Sequence, residues 1–297
     1  MKAASSLSSR LDMLLLTLRK SMDIKKIELF LPEGNPTGCI FCDVANWDGK
    51  VFKITKNRFR DYHERHDLQY TGIYILIGGD QDTQIYIGEA ENLYMRLAQH
   101  LDEDFWSTCI AITKKENILN KAHVKFLENY FYSIAKEVGR CSIKNSCIPT
   151  KSSLSEADEV VLEDFAQKAI SVIGALGYRM FMPVINAEEY HAEYFSISPT
   201  KTHPKVEAKG IISNEGFVVL KGSGSIDKFS KHSSASLRMK WESLRKDGTI
   251  KNNVFTKNYL SSSPSTAAAM ILGRNANGLT EWKTKDKITL KEYLNLE

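Results

Sequence analysis

The feature that most constrains the fold is an uncharged run at residues 71–78, Thr-Gly-Ile-Tyr-Ile-Leu-Ile-Gly. Its β-branched and aromatic content reads as a strand. A polar turn at 79–83 and a second short strand at 84–88 make a hairpin with it. Residues 90–101 then carry helical apolar spacing at Leu93, Leu97 and Leu101. Residues 106–113 read as a third strand, with Trp106 in the core. A long helix follows at 121–137, because Val124, Leu127, Phe131 and Ile134 share one face at three- and four-residue steps. The order β-β-α-β-α gives an α/β (α+β) arrangement with a small central sheet flanked by helices.

Around this module the punctuation is clear. Residues 26–31, 38–45 and 50–54 read as a small three-stranded antiparallel unit, separated by Pro- and Gly-containing turns. A leucine-rich stretch near Leu14 reads as a short amphipathic helix. Asp12 interrupts it, Arg19 and Lys20 close it, and no small-residue cleavage site follows. A charged helix is expected at 57–66 and another helix at 155–177. The Ser-, Thr-, Pro- and Lys-rich segment 196–209 reads as a linker. Beyond it a strand is expected at 210–220, a helix at 236–247, an extended piece at 250–256 and an Ala-rich helix at 264–272. The expected organisation is therefore an N-terminal helix and β unit (1–70), a central module with a helical extension (71–195), a linker (196–209) and a C-terminal α+β domain (210–297).

Composition narrows the class. No stretch of 18 apolar residues exists, so no membrane-spanning helix is expected. Five cysteines at irregular spacing do not suggest a disulfide framework, which favours a reducing cytoplasm. Cys39 and Cys42 have zinc-knuckle spacing, but no second Cys or His pair follows at zinc-site spacing. They read as buried thiols, and no metal is expected there. Charge is uneven. From residue 201 onward 17 Lys and Arg stand against 9 Asp and Glu (+8), whereas the first 200 residues hold 23 against 27 (−4). A basic final third fits either a nucleic-acid grip or a solvated face.

Chemistry concentrates in the central module. Gly72-Ile73-Tyr74 and Tyr86-Ile87-Gly88 place a tyrosine at corresponding points of two adjacent strands. Arg96 and His100, four apart, share one helix face. Glu128, with Asn129 and Tyr130 beside it, is a lone carboxylate among apolar neighbours on the long helix. These types suit phosphodiester hydrolysis. A carboxylate can hold a divalent ion, an arginine can neutralise the phosphorane, and a phenol or imidazole can deprotonate water.

In that order and spacing, Tyr74, Tyr86, Gly88, Arg96, His100 and Glu128 resemble the GIY-YIG nuclease family, over residues 71 to about 145. The resemblance implies the GIY-YIG fold, a small mixed sheet flanked by helices. It implies a hydrogen-bonded tyrosine pair, one member acting as general base, with Arg96 on the scissile phosphate. Glu128 is implied as the sole protein ligand of Mg2+ or Mn2+, and Asn145 as the asparagine that completes the site. Many members carry Lys directly after YIG; here Glu89 stands there, and Lys121 or Lys125 is the candidate replacement cation.

Residues 25–70 and 145–181 are similar to flanks of bacterial members whose C-terminal domain has no assigned role. The run from Ser263 to Ala269, with Arg274–Gly278 and Glu281-Trp282, is similar to that domain. Phosphate contacts are expected from Lys228, Lys231, Arg238, Lys240, Arg245 and Arg274. The alternative for residues 274–278 is a helix C-terminus and turn. The expected activity is metal-dependent DNA cleavage, rising with pH as the base ionises and suited to defence or restriction of mobile elements. The competing readings are a catalytically idle nucleic-acid-binding protein and an RNA-directed nuclease. Oligomeric state is open, a dimer being one route to double-strand cleavage.

Overall fold

In the computed structural model the residues described are 26–79, 83–185, 193–199 and 206–296; the expected N-terminal helix lies outside them. Seven strands form one mixed sheet: β1 (Ile27–Phe30), β2 (Ile40–Val44), β3 (Gly49–Thr55), β4 (Gly72–Gly78), β5 (Gln84–Ala90), β6 (Trp106–Lys114) and β7 (Ser142–Ile143). Their order is β1-β2-β3-β6-β4-β5-β7. All pairs are antiparallel except β5 with β7. The mixed α+β class expected from sequence is therefore the observed one. The three N-terminal strands are not a separate unit, because β3 pairs with β6 along its whole length, from Gly49↔Lys114 to Thr55↔Thr108.

β4 shows why the opening run lacks polar alternation. Ile73, Ile75 and Ile77 enter one core and Tyr74 and Leu76 the other. Both faces are covered, so neither set of positions can be polar. On the first face lie α2 (Lys121–Val138) and α3 (Glu156–Ala175), which bury Val124, Leu127, Phe131, Phe165 and Ile170 against the isoleucines. Asn120 caps α2 through His123 N, and Gly139 ends it in the left-handed region (φ 65°). Ser155 caps α3, whose first turn carries Glu156, Asp158 and Glu159 against the positive helix end.

The second face is covered by α1 (Leu93–Ala98) and by 3-10 turns at Lys56–Tyr62 and His66–Gln69. The long charged helix expected at 57–66 is thus two short 3-10 pieces. The helix expected at 90–101 shrinks to six residues, because Ala90 completes β5 and Asn92 caps the start by accepting from Met95 N. Cys39 and Cys42 face opposite cores, as three-residue spacing on a strand requires, and cannot share a metal. Both are buried and free, and burial raises the Cys42 thiol to about 12.

The chain divides into two compact units, residues 1–182 and 183–297, so the boundary falls before the expected linker. Part of that linker is strand. β8 (Phe195–Ile197) pairs with β9 (Ala208–Ser213), and Phe195, Ile197, Val206 and Ala208 are buried. Ser196 and Glu207 alternate with these buried positions, and residues 200–205 lie outside those described. Residues 210–220 are likewise not one strand. β9 turns at Asn214 and Glu215 into β10 (Gly216–Val219), and β13 (Tyr259–Ser261) pairs with β10 on its other side. The extended piece at 250–256 is a tight hairpin of β11 (Ile250–Lys251) and β12 (Val254–Phe255), turned by Asn252 and Asn253 at φ 50° and 62°.

The second core is built on α5 (Pro264–Leu272), capped by Ser263 and ended by Gly273 at φ 59°. Residues Ala267 to Ile271 are almost completely buried, and α4 (Ala235–Lys246) adds Trp241 and Leu244. Short helices α6 (Gly278–Glu281) and α7 (Leu290–Tyr293) complete it.

Candidate active site

The two glycines of the strand motifs are steric requirements. Tyr74 and Gly88 are partners across β4 and β5. A Cβ on Gly88 would run into Cζ and Oη of Tyr74. On Gly72 it would meet the Ile112 carbonyl and the Leu93 side chain. Gly88 therefore makes the room in which the fully buried Tyr74 phenol lies across the sheet.

That phenol is the hub of the site. Tyr74 Oη lies 2.9 Å from Nε2 of His100 and accepts a hydrogen bond from Nε of Arg96 at 3.2 Å. The Tyr86 ring stacks beside it, centroids 6.1 Å apart, and both tyrosines flank His100 at 5.4 Å. Burial pushes the Tyr74 phenol above its ordinary value. Tyr86 adds to the rise, and the Arg96 charge opposes it. Arg96 is exposed and also donates to Oε1 of Gln99 at 2.7 Å, so its guanidinium bridges buried phenol and solvent. Four of the expected residues, Tyr74, Tyr86, Arg96 and His100, thus meet on one side of the sheet. His100 is buried and tied at both ring nitrogens. Its Nδ1 lies 2.7 Å from Oε1 of Glu103, and its backbone carbonyl accepts from Trp106 Nε1.

Glu128 stands half-buried on α2. Among the described residues no side chain hydrogen-bonds or ion-pairs with its carboxylate. Burial raises it to about 7, the negative charge of Glu89 adds to this, and Lys121, Arg96 and Lys125 act in the other direction. Arg96 and Glu128 are therefore within Coulombic reach, although α1 and α2 pack on opposite faces. An unpartnered carboxyl held this far above its ordinary range fits a divalent cation, which would restore its ionised form. Neighbouring Asn129 donates to the Pro149 carbonyl, and Tyr130 accepts from Gln167, so both serve packing.

Glu89, which directly follows Tyr86-Ile87-Gly88, forms an ion pair with Lys121 at 2.8 Å, and Lys121 also approaches Glu91 at 3.5 Å. This raises Lys121, chiefly through its hydrogen bond to Glu89. Both lysines of the expected pair are exposed; Lys121 is committed to Glu89, whereas Lys125 forms no ion pair among the described residues. Asn145, expected as the asparagine that completes the site, bonds the backbone of Ile87. Its Oδ1 accepts from Ile87 N at 3.0 Å and its Nδ2 donates to Ile87 O at 2.7 Å. It braces the strand between Tyr86 and Gly88, continuing the ladder in which Ser142 N bonds the Thr83 carbonyl and Lys144 N the Ile85 carbonyl.

Sequence reasoning missed Glu103, Gln99 and the Glu89–Lys121 pair. The i,i+3 spacing of His100 and Glu103 was the only available signal for the first.

In the second unit the expected phosphate contacts separate. Lys228, Lys231 and Lys240 are exposed. Arg238 donates to the Ser230 and Lys231 carbonyls. Arg245 lies over the Trp241 ring and donates to Asn253. Arg274 pairs with Glu281 at 2.7 Å and donates to the Asn275 carbonyl. These three arginines make contacts within the unit, and residues 273–277 are the helix end and the link to α6.

With that geometry in place, the comparisons add one finding. Residues 199–294 match a family described as "Domain of unknown function (DUF4357)". No curated protein and no solved structure matches the chain. The match covers about a third of the sequence and lies wholly in the second unit. Among the described residues, no helix is long and apolar enough to cross a membrane.

Proposed function

We propose that this chain is a GIY-YIG-type endonuclease that hydrolyses DNA phosphodiester bonds with Mg2+ or Mn2+. The observation that carries the reading is the buried Tyr74 phenol, engaged at once by His100 and Arg96, on a sheet against which helix α2 holds the unpartnered Glu128. No group of three or more His, Cys, Asp or Glu side chains placed to hold a metal occurs among the described residues. The proposed site instead relies on one carboxylate, Glu128, with solvent and substrate oxygens as the remaining ligands. Bound there, a divalent cation supplies Lewis-acid stabilisation of phosphoryl charge.

The protein's own groups account for the rest. Arg96 places a fixed positive charge where the phosphorane gains negative charge, its Nε held by Tyr74 and its Nη1 by Gln99. Tyr74 takes the proton of the attacking water as it passes its own to His100. This shared transfer suits a phenol whose burial disfavours a free phenolate. Tyr86, half-exposed at the outer side of the pair, orders the nucleophile. In the second unit Lys228, Lys231 and Lys240 offer sequence-independent phosphate contacts.

Purified protein is incubated with supercoiled plasmid, single-stranded DNA and RNA, each with Mg2+, Mn2+ or EDTA. The expected result is cleavage of DNA that requires metal and falls to background in Glu128→Ala. Binding without cleavage under every metal would overturn the proposal. Cleavage of RNA alone would reassign the substrate.

A further inference from the structure

The His100 ring sits between two partners of different chemistry, and this fixes more than its position. On one side Nδ1 is 2.7 Å from the Glu103 carboxylate; on the other Nε2 is 2.9 Å from the Tyr74 phenol. An ionised carboxylate accepts hydrogen bonds and donates none, so the proton between Glu103 and the neutral ring belongs to Nδ1. The bare nitrogen is then Nε2, the one aimed at Tyr74. A phenol already accepting from Arg96 Nε retains its own O–H to donate in that direction. Glu103 thus selects the only neutral tautomer in which His100 can receive a proton from Tyr74.

The backbone around Glu103 is built to hold this contact. Glu103 N donates to the His100 carbonyl, which also accepts from Trp106 Nε1, and the Glu103 carbonyl accepts from Lys56 Nζ at 2.7 Å. Three segments thereby fix one turn, although Glu103 itself is exposed.

We infer that Glu103 is a positioning residue, holding His100 in the Nδ1–H form so that Glu103, His100 and Tyr74 make a carboxylate–imidazole–phenol relay. The inference rests on the nuclease reading for its chemical consequence. In the step it serves, the water oxygen forms a bond to phosphorus and the phosphorus–oxygen bond to the leaving alkoxide breaks. The water proton goes to Tyr74 Oη, and the Tyr74 proton goes to Nε2. The alkoxide is protonated from solvent, and the imidazolium, paired with Glu103, returns its proton to solvent afterwards. No redox partner is needed.

The test uses the full chain, labelled with 15N at histidine, at a pH where His100 is neutral. The His100 signals are assigned by their loss in His100→Gln. In the wild type Nδ1 is expected to carry the proton and Nε2 to be bare. In Glu103→Ala the population is expected to shift toward Nε2–H, with kcat for plasmid cleavage falling about 10- to 100-fold and KM unchanged. A wild-type ring protonated at Nε2, or a Glu103→Ala ring with an unaltered tautomer, overturns the inference. An unaltered kcat in Glu103→Ala does so as well. Wild-type protein that cleaves nothing while its tautomer follows Glu103 defeats the nuclease reading alone. Circular dichroism on Glu103→Ala and on the more conservative Glu103→Gln separates loss of fold from loss of tautomer.

Discussion

Both units of the molecule use a glycine pressed against a neighbour, for opposite ends. In the first, Gly88 makes room for the phenol end of Tyr74, and the space gained holds a hydrogen-bonded network of Tyr74, Arg96, His100 and Glu103. In the second, a Cβ on Gly278 would strike the Pro264 backbone. The close approach there lets the fully buried Trp282 donate to the Pro264 carbonyl at 3.0 Å and pack on Phe217 at 4.7 Å. One contact serves a polar site and the other an apolar core. A glycine-and-aromatic motif therefore says nothing about chemistry until its polar neighbours are known.

The largest expected effect separates the two glycines. Gly278→Ala meets backbone that cannot yield and should cost at least the upper end of the ~1–3 kcal/mol usual for overpacking. Gly88→Ala displaces a ring instead, so it should cost less stability and more cleavage. Denaturant titration and plasmid cleavage on both variants read the contrast; equal losses on both axes would erase it.

A smaller effect concerns Glu128. A carboxyl whose folded value is raised to about 7 contributes most to stability below its unfolded value near 4.5, and that contribution is lost as pH rises through 7. Glu128→Gln, measured without divalent metal, should equal the wild type at pH 4.5 and exceed it by roughly 1–3 kcal/mol at pH 8. Identical stability curves would show that the carboxyl is not destabilised by its surroundings.

The smallest effect lies in the second unit. Replacing Lys228, Lys231 and Lys240 together by Ala should reduce the salt slope of DNA binding by about 1 per lysine that meets a phosphate, leaving stability unchanged. An unchanged slope would remove the second unit from the proposed DNA grip.

What was legible in the sequence follows from what each segment depends on. The helix at Pro264–Leu272 was readable to the residue, because Ser263, Pro264 and Gly273 state its ends locally. The long helix from Lys121 was readable because its apolar face is periodic. Tyr74, Tyr86, Arg96, His100 and Glu128 could be picked out as an ordered set, and the fold brings four of them into one cluster with Glu128 within electrostatic reach. Glu103 could not be read this way, since an exposed carboxylate after a short helix looks like any solvated residue. The intramolecular partners of Arg238, Arg245 and Arg274 were hidden too, because the Ser230 and Lys231 carbonyls, Asn253 and Glu281 lie in other segments. The pairing of β3 with β6 was equally invisible, because strand order is a property of the whole sheet.

The clasp that Asn145 places on Ile87 has a consequence for how anything reaches this site. With the Ile87 N–H and C=O both taken by one side-chain amide, the margin of the sheet beside Tyr86 has no vacant rung there. An extended peptide cannot dock at that point by strand addition. Entry to the site must be negotiated by side chains, among which Arg96 and Glu103 are the exposed charges of the Tyr74 network.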